Sequence, residues 1–269
     1  MPKSFVSIEK GLGPEGRIGV VRLDRGDKIN GLSPSVMRDL RSAALGFEDD
    51  TATSVVILTG NANVFSAGFD LKDAEARNRA SLGLGERRAS LKAGPRMCRA
   101  WWEMEQITIA AIEGPCIGGG VALAVSLDFR FAGTNAHFRV PEVALGMNMS
   151  WGSLPRILAL IGPARTKQAV ILANDRITSA EALDWGLVEN VVPDGTAFEA
   201  AMAFASRIAA LPPIPVAMTK TSINRLSGAL NDLAAHMDGD QFALASLSDD
   251  HVEGVAAFFG RRKPKFRGR

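Results

Sequence analysis

The chain has 269 residues, 46% hydrophobic and 22% charged, which suffices for a large core and excludes a disordered polymer. Its 31 basic and 29 acidic side chains leave a formal charge of +2, so bulk charge gives no reason to expect nucleic acid or a membrane as partner. With only Cys98 and Cys116, no apolar h-region at the start and no apolar run near the ~20 residues of a bilayer span, the expectation is a soluble cytoplasmic protein.

In chain order, residues 5–11 and 17–24 read as a hairpin around a Gly/Pro-rich link. Ser33 as N-cap and Pro34 at the first helical position open an amphipathic helix to about Phe47. Residues 54–60 form a continuous β-branched run, the pattern of a strand buried on both faces. A polar, Arg-rich stretch over 72–96 leads to a helix around 97–105. A second buried strand follows at 107–114, then a small-residue helix over 118–127 and two strands at 128–134 and 136–140. From Trp151 the pattern turns helical. Thr178 and Glu181 form a capping box with Gly186 as the stop, and helices are expected at 194–211, 213–227 and 229–248, with a last start at Asp250. Strands alternating with helices predict an α/β layered core, residues 1–195, with a helical region over 196–269.

Gly11, Gly13 and Gly16 match G-x-G-x-x-G literally, but they precede a strand and open no helix, so a hairpin turn is expected rather than a dinucleotide site. His137, His236 and His251 are scattered, and no metal site is expected. Two other glycine segments carry more. Residues 63–72 and 113–123 each follow a buried strand and place small residues where the chain turns toward a helix. Such turns let a ligand approach the backbone, and two outward amides aimed at one point would polarise a carbonyl. Either glycine turn alone is better explained as a tight strand-to-helix connection. Glu142 adds a carboxylate just past a strand in an apolar stretch, where its pKa should rise, unless an arginine pairs with it.

Together these residues resemble the crotonase (enoyl-CoA hydratase/isomerase) superfamily over nearly the whole chain. Residues 23–32 look like its L-x-R-P-x-x-x-N-A-L segment, and Phe65, Ser66, Ala67, Gly68, Asp70 and Leu71 like its F-S-A-G-x-D-L motif. Gly118, Gly119 and Gly120, with Asp128 closing the next helix, resemble its second glycine motif. Residues 179–188 and 253–266 are similar to its later segments.

The resemblance implies a ββα spiral with two near-perpendicular sheets and a C-terminal helical region that completes the CoA site and serves oligomerisation. It also implies a homo-trimer or a hexamer built as a dimer of trimers. Ala67 and Gly119 N–H groups would bind the thioester oxygen of an acyl-CoA. Lys28, Asn30, Phe69, Asp70, Leu71, Trp151 and Lys263 would contact substrate or CoA, which is part of the substrate, so no further cofactor is expected. Glu142 matches one of the two hydratase glutamates. Ala122 stands where the other belongs, which favours isomerisation, with Glu142 as acid/base. Asn148, Ser150 and Trp151 depart from the family pattern and line an altered acyl pocket, or Trp151 is core. The alternatives are a specialised acyl-CoA hydrolase, decarboxylase or lyase on the same fold, or a non-catalytic CoA- or RNA-binding relative.

Overall fold

Residues 55–59 and 107–112 are buried at every position, which suits strands in the middle of a parallel sheet, where helices cover both faces. The computed structural model describes residues 4–78, 81–173 and 175–269. Its first half contains β1 (Val6–Leu12), β2 (Ile18–Leu23), α1 (Pro34–Leu45), β3 (Val55–Thr59), α2 (Ala74–Asn78), α3 (Leu84–Ser90) and α4 (Ala93–Glu103). Then come β4 (Ile107–Ile112), β5 (Pro115–Ile117), α5 (Gly119–Ala124), β6 (Phe129–Gly133) and β7 (His137–Arg139). The rest comprises α6 (Ser153–Ile171), β8 (Ile177–Thr178), α7 (Ser179–Trp185), β9 (Asn190–Val192), α8 (Ala197–Ala209) and α9 (Pro213–Ser227). It ends with α10 (Asn231–Ala235), α11 (Asp238–Ala245) and α12 (Asp249–Phe259).

The main sheet has the order β1-β2-β3-β4-β6-β9, antiparallel only between β1 and β2. A smaller sheet joins β5, β7 and β8, and a Ser66–Cys116 bridge continues its β5 edge into the segment after β3. After β3, β4 and β6 in turn, the chain leaves the main sheet and enters this second layer. That repeated step winds the core as a spiral and brings the ends of β3 and β4 together.

One face of the main sheet packs on α1 and α4, where the buried Trp101 indole donates to the Leu40 carbonyl at 3.1 Å. The other face packs on α8, whose buried Ala201, Ala205 and Ala209 lie on one helical stripe and let the helix sit close to Ile57 and Ile109. Thus α8, within the expected helical appendage, is part of the sheet's own core.

The hairpin, the Ser33 cap with its bond from Val36 N–H at 3.3 Å, and the Thr178–Glu181 capping box form as expected. Gly11, Gly13 and Gly16 make the hairpin link, with a short 3-10 turn at Pro14–Gly16. Two expectations need correction, and two strands were not expected. The 229–248 helix is two helices, α10 and α11. The last helix is capped by Ser248, whose hydroxyl accepts the His251 N–H, not by Asp250. The short β5 and β8 form only because the second sheet pairs them; two or three residues carry no pattern of their own.

A buried ion pair locks α9 to the sheet. Lys220 Nζ lies 2.7 Å from the Asp128 carboxylate and donates to the Gln106 carbonyl at 2.6 Å. Asp128 also accepts the Thr108 N–H and hydroxyl. Removing one partner of such a pair strands the other charge. Lys220→Met should therefore lower stability by about 3 kcal/mol, read from urea unfolding, with part of the loss recovered in the Lys220→Met/Asp128→Asn double variant.

Candidate active site

After β5 the chain turns into α5 at Gly118, whose φ of 53° and ψ of −113° a side chain would strain. The turn leaves the Gly119 N–H at the first helical position, beyond the reach of any intrahelical acceptor, and no other acceptor meets it among the described residues. Gly68 crosses this turn closely: a Cβ there would stand 2.5 Å from the Ile117 carbonyl oxygen and 3.1 Å from the Gly119 nitrogen. Ala67 and Gly119, far apart in sequence, are thus brought side by side.

Residues 65–70 run along residues 29–32. Ala67 N–H donates to the Ile29 carbonyl and Leu32 N–H to the Gly68 carbonyl, both at 2.8 Å. Asn30 is fully buried, its amide donating to the carbonyls of Leu23 at 2.8 Å and Phe65 at 3.0 Å. Asp70 is also occupied, pairing with Arg25 Nη1 at 2.8 Å and accepting the Lys72 N–H at 3.0 Å. Asn30 and Asp70, expected along the coenzyme, therefore hold the walls of the site in place. The Ala67 N–H, expected to face a thioester oxygen, is satisfied by Ile29, and that carbonyl must give way before Ala67 can donate to a ligand. Phe69 and Leu71 are half-buried beside it, and Lys28 is exposed in the same loop.

From the opposite side comes Glu142, at the start of a 3-10 turn (Val143–Leu145) that follows β7. Its Oε1 packs against Gly118, 3.0 Å from where a Cβ would stand. Parts of the residue reach solvent, yet Oε2 is buried and has no hydrogen-bond partner. Loss of hydration disfavours the carboxylate and raises its pKa from 4.5 to about 7, with a hydrogen bond from its own backbone N–H and the Arg139 charge opposing only in part. A carboxyl group poised near neutrality can both accept a proton and return it.

Ala122 lies one helical turn beyond Gly118, buried in the apolar core. The Trp151 ring lies against Gly119: a Cβ on that glycine would meet ring carbon Cζ3 at 2.5 Å. Trp151 is both half-buried beside the core and in contact with the glycine turn, so the two expectations for it merge. Its φ of 65° lies in the left-handed region, a strain of about 1–3 kcal/mol for a residue with a side chain. Asn148 instead reaches toward α11, with its amide 3.3 Å from Gln241 Oε1, and the Ser150 carbonyl accepts the Ser153 hydroxyl at 2.7 Å.

Sequence reasoning missed the support that α12 gives this site. His251 Nδ1 lies 3.0 Å from the Leu145 carbonyl oxygen. Gly146 and Gly254 mark the contact, since a Cβ on either would come within 3 Å of backbone on the other side. The signal existed as two unexplained glycines, but nothing in the sequence paired them. Beyond α12 the tail is pinned by Arg262 on Glu253 (2.5 Å), while Lys263 is exposed.

The family model described as enoyl-CoA hydratase/isomerase matches residues 14–269. The crotonyl-CoA hydratase of Syntrophomonas wolfei is 32% identical over 253 residues, covering 94% of this chain and 95% of that protein. The short-chain-enoyl-CoA hydratase of Clostridium acetobutylicum is 31% identical, covering 98% of this chain and 97% of that one. Among solved structures, an enoyl-CoA hydratase from Mycobacterium avium subsp. paratuberculosis superposes with a TM-score of 0.84 at 27% identity, covering 99% of this chain and all (100%) of that one. This chain belongs to the enoyl-CoA hydratase/isomerase family and has the crotonase fold.

The protonation of Glu142 has two measurable consequences. Between pH 4.5 and about 7 the native carboxyl holds a proton that the unfolded chain has lost, so this group makes stability fall as pH rises through that window. If Glu142 acts as a base, kcat/KM should rise with a midpoint near pH 7 rather than near 4.5. Glu142→Gln should abolish that limb and lower turnover by about 10²-fold or more, with ligand affinity little changed; a pH–rate series on both proteins checks this.

Proposed function

We propose that this enzyme transfers protons on an enoyl-CoA thioester through an oxyanion-stabilised enolate, and that it favours shifting the double bond over adding water. The observation that carries this reading is the Glu142 carboxyl packed against the Gly118 turn with its buried Oε2 unpartnered, and Ala122 where a second acid would stand. The Gly119 N–H polarises the thioester carbonyl, and Ala67 joins it when the substrate displaces the Ile29 carbonyl. Charge that develops on the oxygen is then held by fixed amide dipoles. Glu142 takes a proton from one acyl carbon, and the electron pair delocalises onto the thioester oxygen as an enolate. The same carboxyl returns the proton to another carbon, so atoms balance without a co-reactant.

Hydration makes a further demand. Water must be deprotonated while the neighbouring carbon gains a proton, a task that one carboxyl performs poorly unless another group positions the water. The relatives named as hydratases favour hydration as the second reading. The exposed Lys28 and Lys263 are suited to the phosphates of CoA.

Oligomerisation belongs to the same proposal. The C-terminal helices carry large apolar side chains facing solvent, including Leu226 at 81% and Leu244 at 72% exposure. Burying them against further copies fits a trimer, or a hexamer made of two trimers.

A 3-enoyl-CoA and crotonyl-CoA, each incubated with the protein in deuterated water and followed by NMR, separate the two reactions. The expected result is double-bond migration with deuterium incorporation, and slow hydration that Ala122→Glu accelerates. Efficient hydration of crotonyl-CoA by the unmodified protein would overturn the preference for isomerisation. Sedimentation should give the mass of three or six chains; a monomer at micromolar concentration would remove the oligomer from the proposal.

A further inference from the structure

The Trp151 ring is seated between two glycines from different helices. On one side it touches Gly119, whose missing Cβ would lie 2.5 Å from Cζ3 and 2.7 Å from Cη2. On the other it touches Gly94 of α4, whose Cβ would lie 2.0 Å from Cε2 and 2.4 Å from Nε1. Any side chain at either position would evict the ring. The turn that carries it is fixed too: Arg156 Nη1 donates to the Trp151 carbonyl at 3.3 Å, and the Gly152 N–H donates to Asp238 Oδ2 at 2.7 Å. The indole is therefore a built wall rather than a loose surface ring.

The ring also borders a mostly polar cavity of about 800 Å³, together with Pro95, Gly152, Arg156, Arg225 and Asp238. Neither Gly119 nor Glu142 lines it. Trp151 touches Gly119 and also lines the cavity. An acyl chain whose carbonyl oxygen rests on the Gly119 amide would meet the ring before reaching that space.

We propose that Trp151 is a specificity-determining residue that limits the enzyme to short acyl groups, of about four to six carbons, by closing the oxyanion turn off from that cavity. The inference rests on the acyl-CoA reading above. It holds for isomerisation and hydration alike, because the ring restricts the acyl chain whichever bond is made.

The test compares full-length wild type with Trp151→Gly on enoyl-CoA thioesters of four, six, eight and ten carbons. Glycine is chosen because it accepts the left-handed φ at this position while deleting the ring. Wild type should lose kcat/KM steeply beyond six carbons, and the variant should raise the eight-to-four-carbon ratio by about tenfold or more. A measurement that needs no variant guards against misfolding: on wild type, octanoyl-CoA should inhibit more weakly than butanoyl-CoA, although it carries more apolar surface. Equal wild-type kcat/KM at four and eight carbons, tighter inhibition by octanoyl-CoA, or an unchanged ratio in a folded Trp151→Gly would each overturn the wall. Failure of wild type to bind any of these thioesters would sink the acyl-CoA reading itself, and the wall with it.

Discussion

The constraint on which the site depends is the crossing of two backbones at Gly68 and the Ile117–Gly119 turn, too tight for a Cβ on Gly68. It follows from the spiral. Parallel β3 and β4 end at the same level, and the connections after them must pass one another in the second layer. Backbone amides meet there because no side chains intervene. The same absence leaves room for a ligand oxygen, for the Glu142 carboxyl and for the Trp151 ring. A side chain at Gly68, Gly118 or Gly119 would disturb all three.

Electrostatics at this crossing are set by what is missing. Glu142 Oε2 has no donor, and Arg139 is the cation that bears on the carboxyl. Desolvation therefore dominates, and the group sits near the pKa that a proton shuttle needs. Contrast Asp70, three residues after Ala67, which pairs with Arg25. One carboxylate is held as structure, and the other keeps a buried oxygen without a partner. A second acid at position 122 would share the helix face of Gly118 and would have to fit beside the Trp151 ring.

The site is also assembled from distant parts of the chain. α12 seats the 3-10 turn that carries Glu142, through His251 and the two close glycines, so the end of the polypeptide helps to place a group on the other side of the core. α11 contributes Asp238, which anchors the Trp151 turn. The helical last third is thus continuous with the catalytic geometry, and α8 is continuous with the main sheet's core.

Much of this was legible in the sequence. Continuous β-branched runs identified β3 and β4, because burial on both faces leaves no polar alternation. Ser33, Thr178 with Glu181, and Gly186 marked helix ends through local hydrogen bonding that depends on neighbours in the chain. The glycine motifs and Glu142 stood out because small residues after buried strands and a carboxylate in apolar surroundings are unusual. Other features depend on contacts between residues remote in sequence. Nothing local tells that Asn30 faces inward to tie Leu23 to Phe65, that the Ala67 N–H meets Ile29, or that the short β5 and β8 are strands. Nor could composition place the Trp151 ring between Gly94 and Gly119. The sequence by itself determined the longer strands, most helix caps and the kinds of group available for chemistry, since these follow from local propensity and polarity. Only the tertiary structure decided which of those groups are satisfied and which are left to react, because that depends on partners brought together by the spiral.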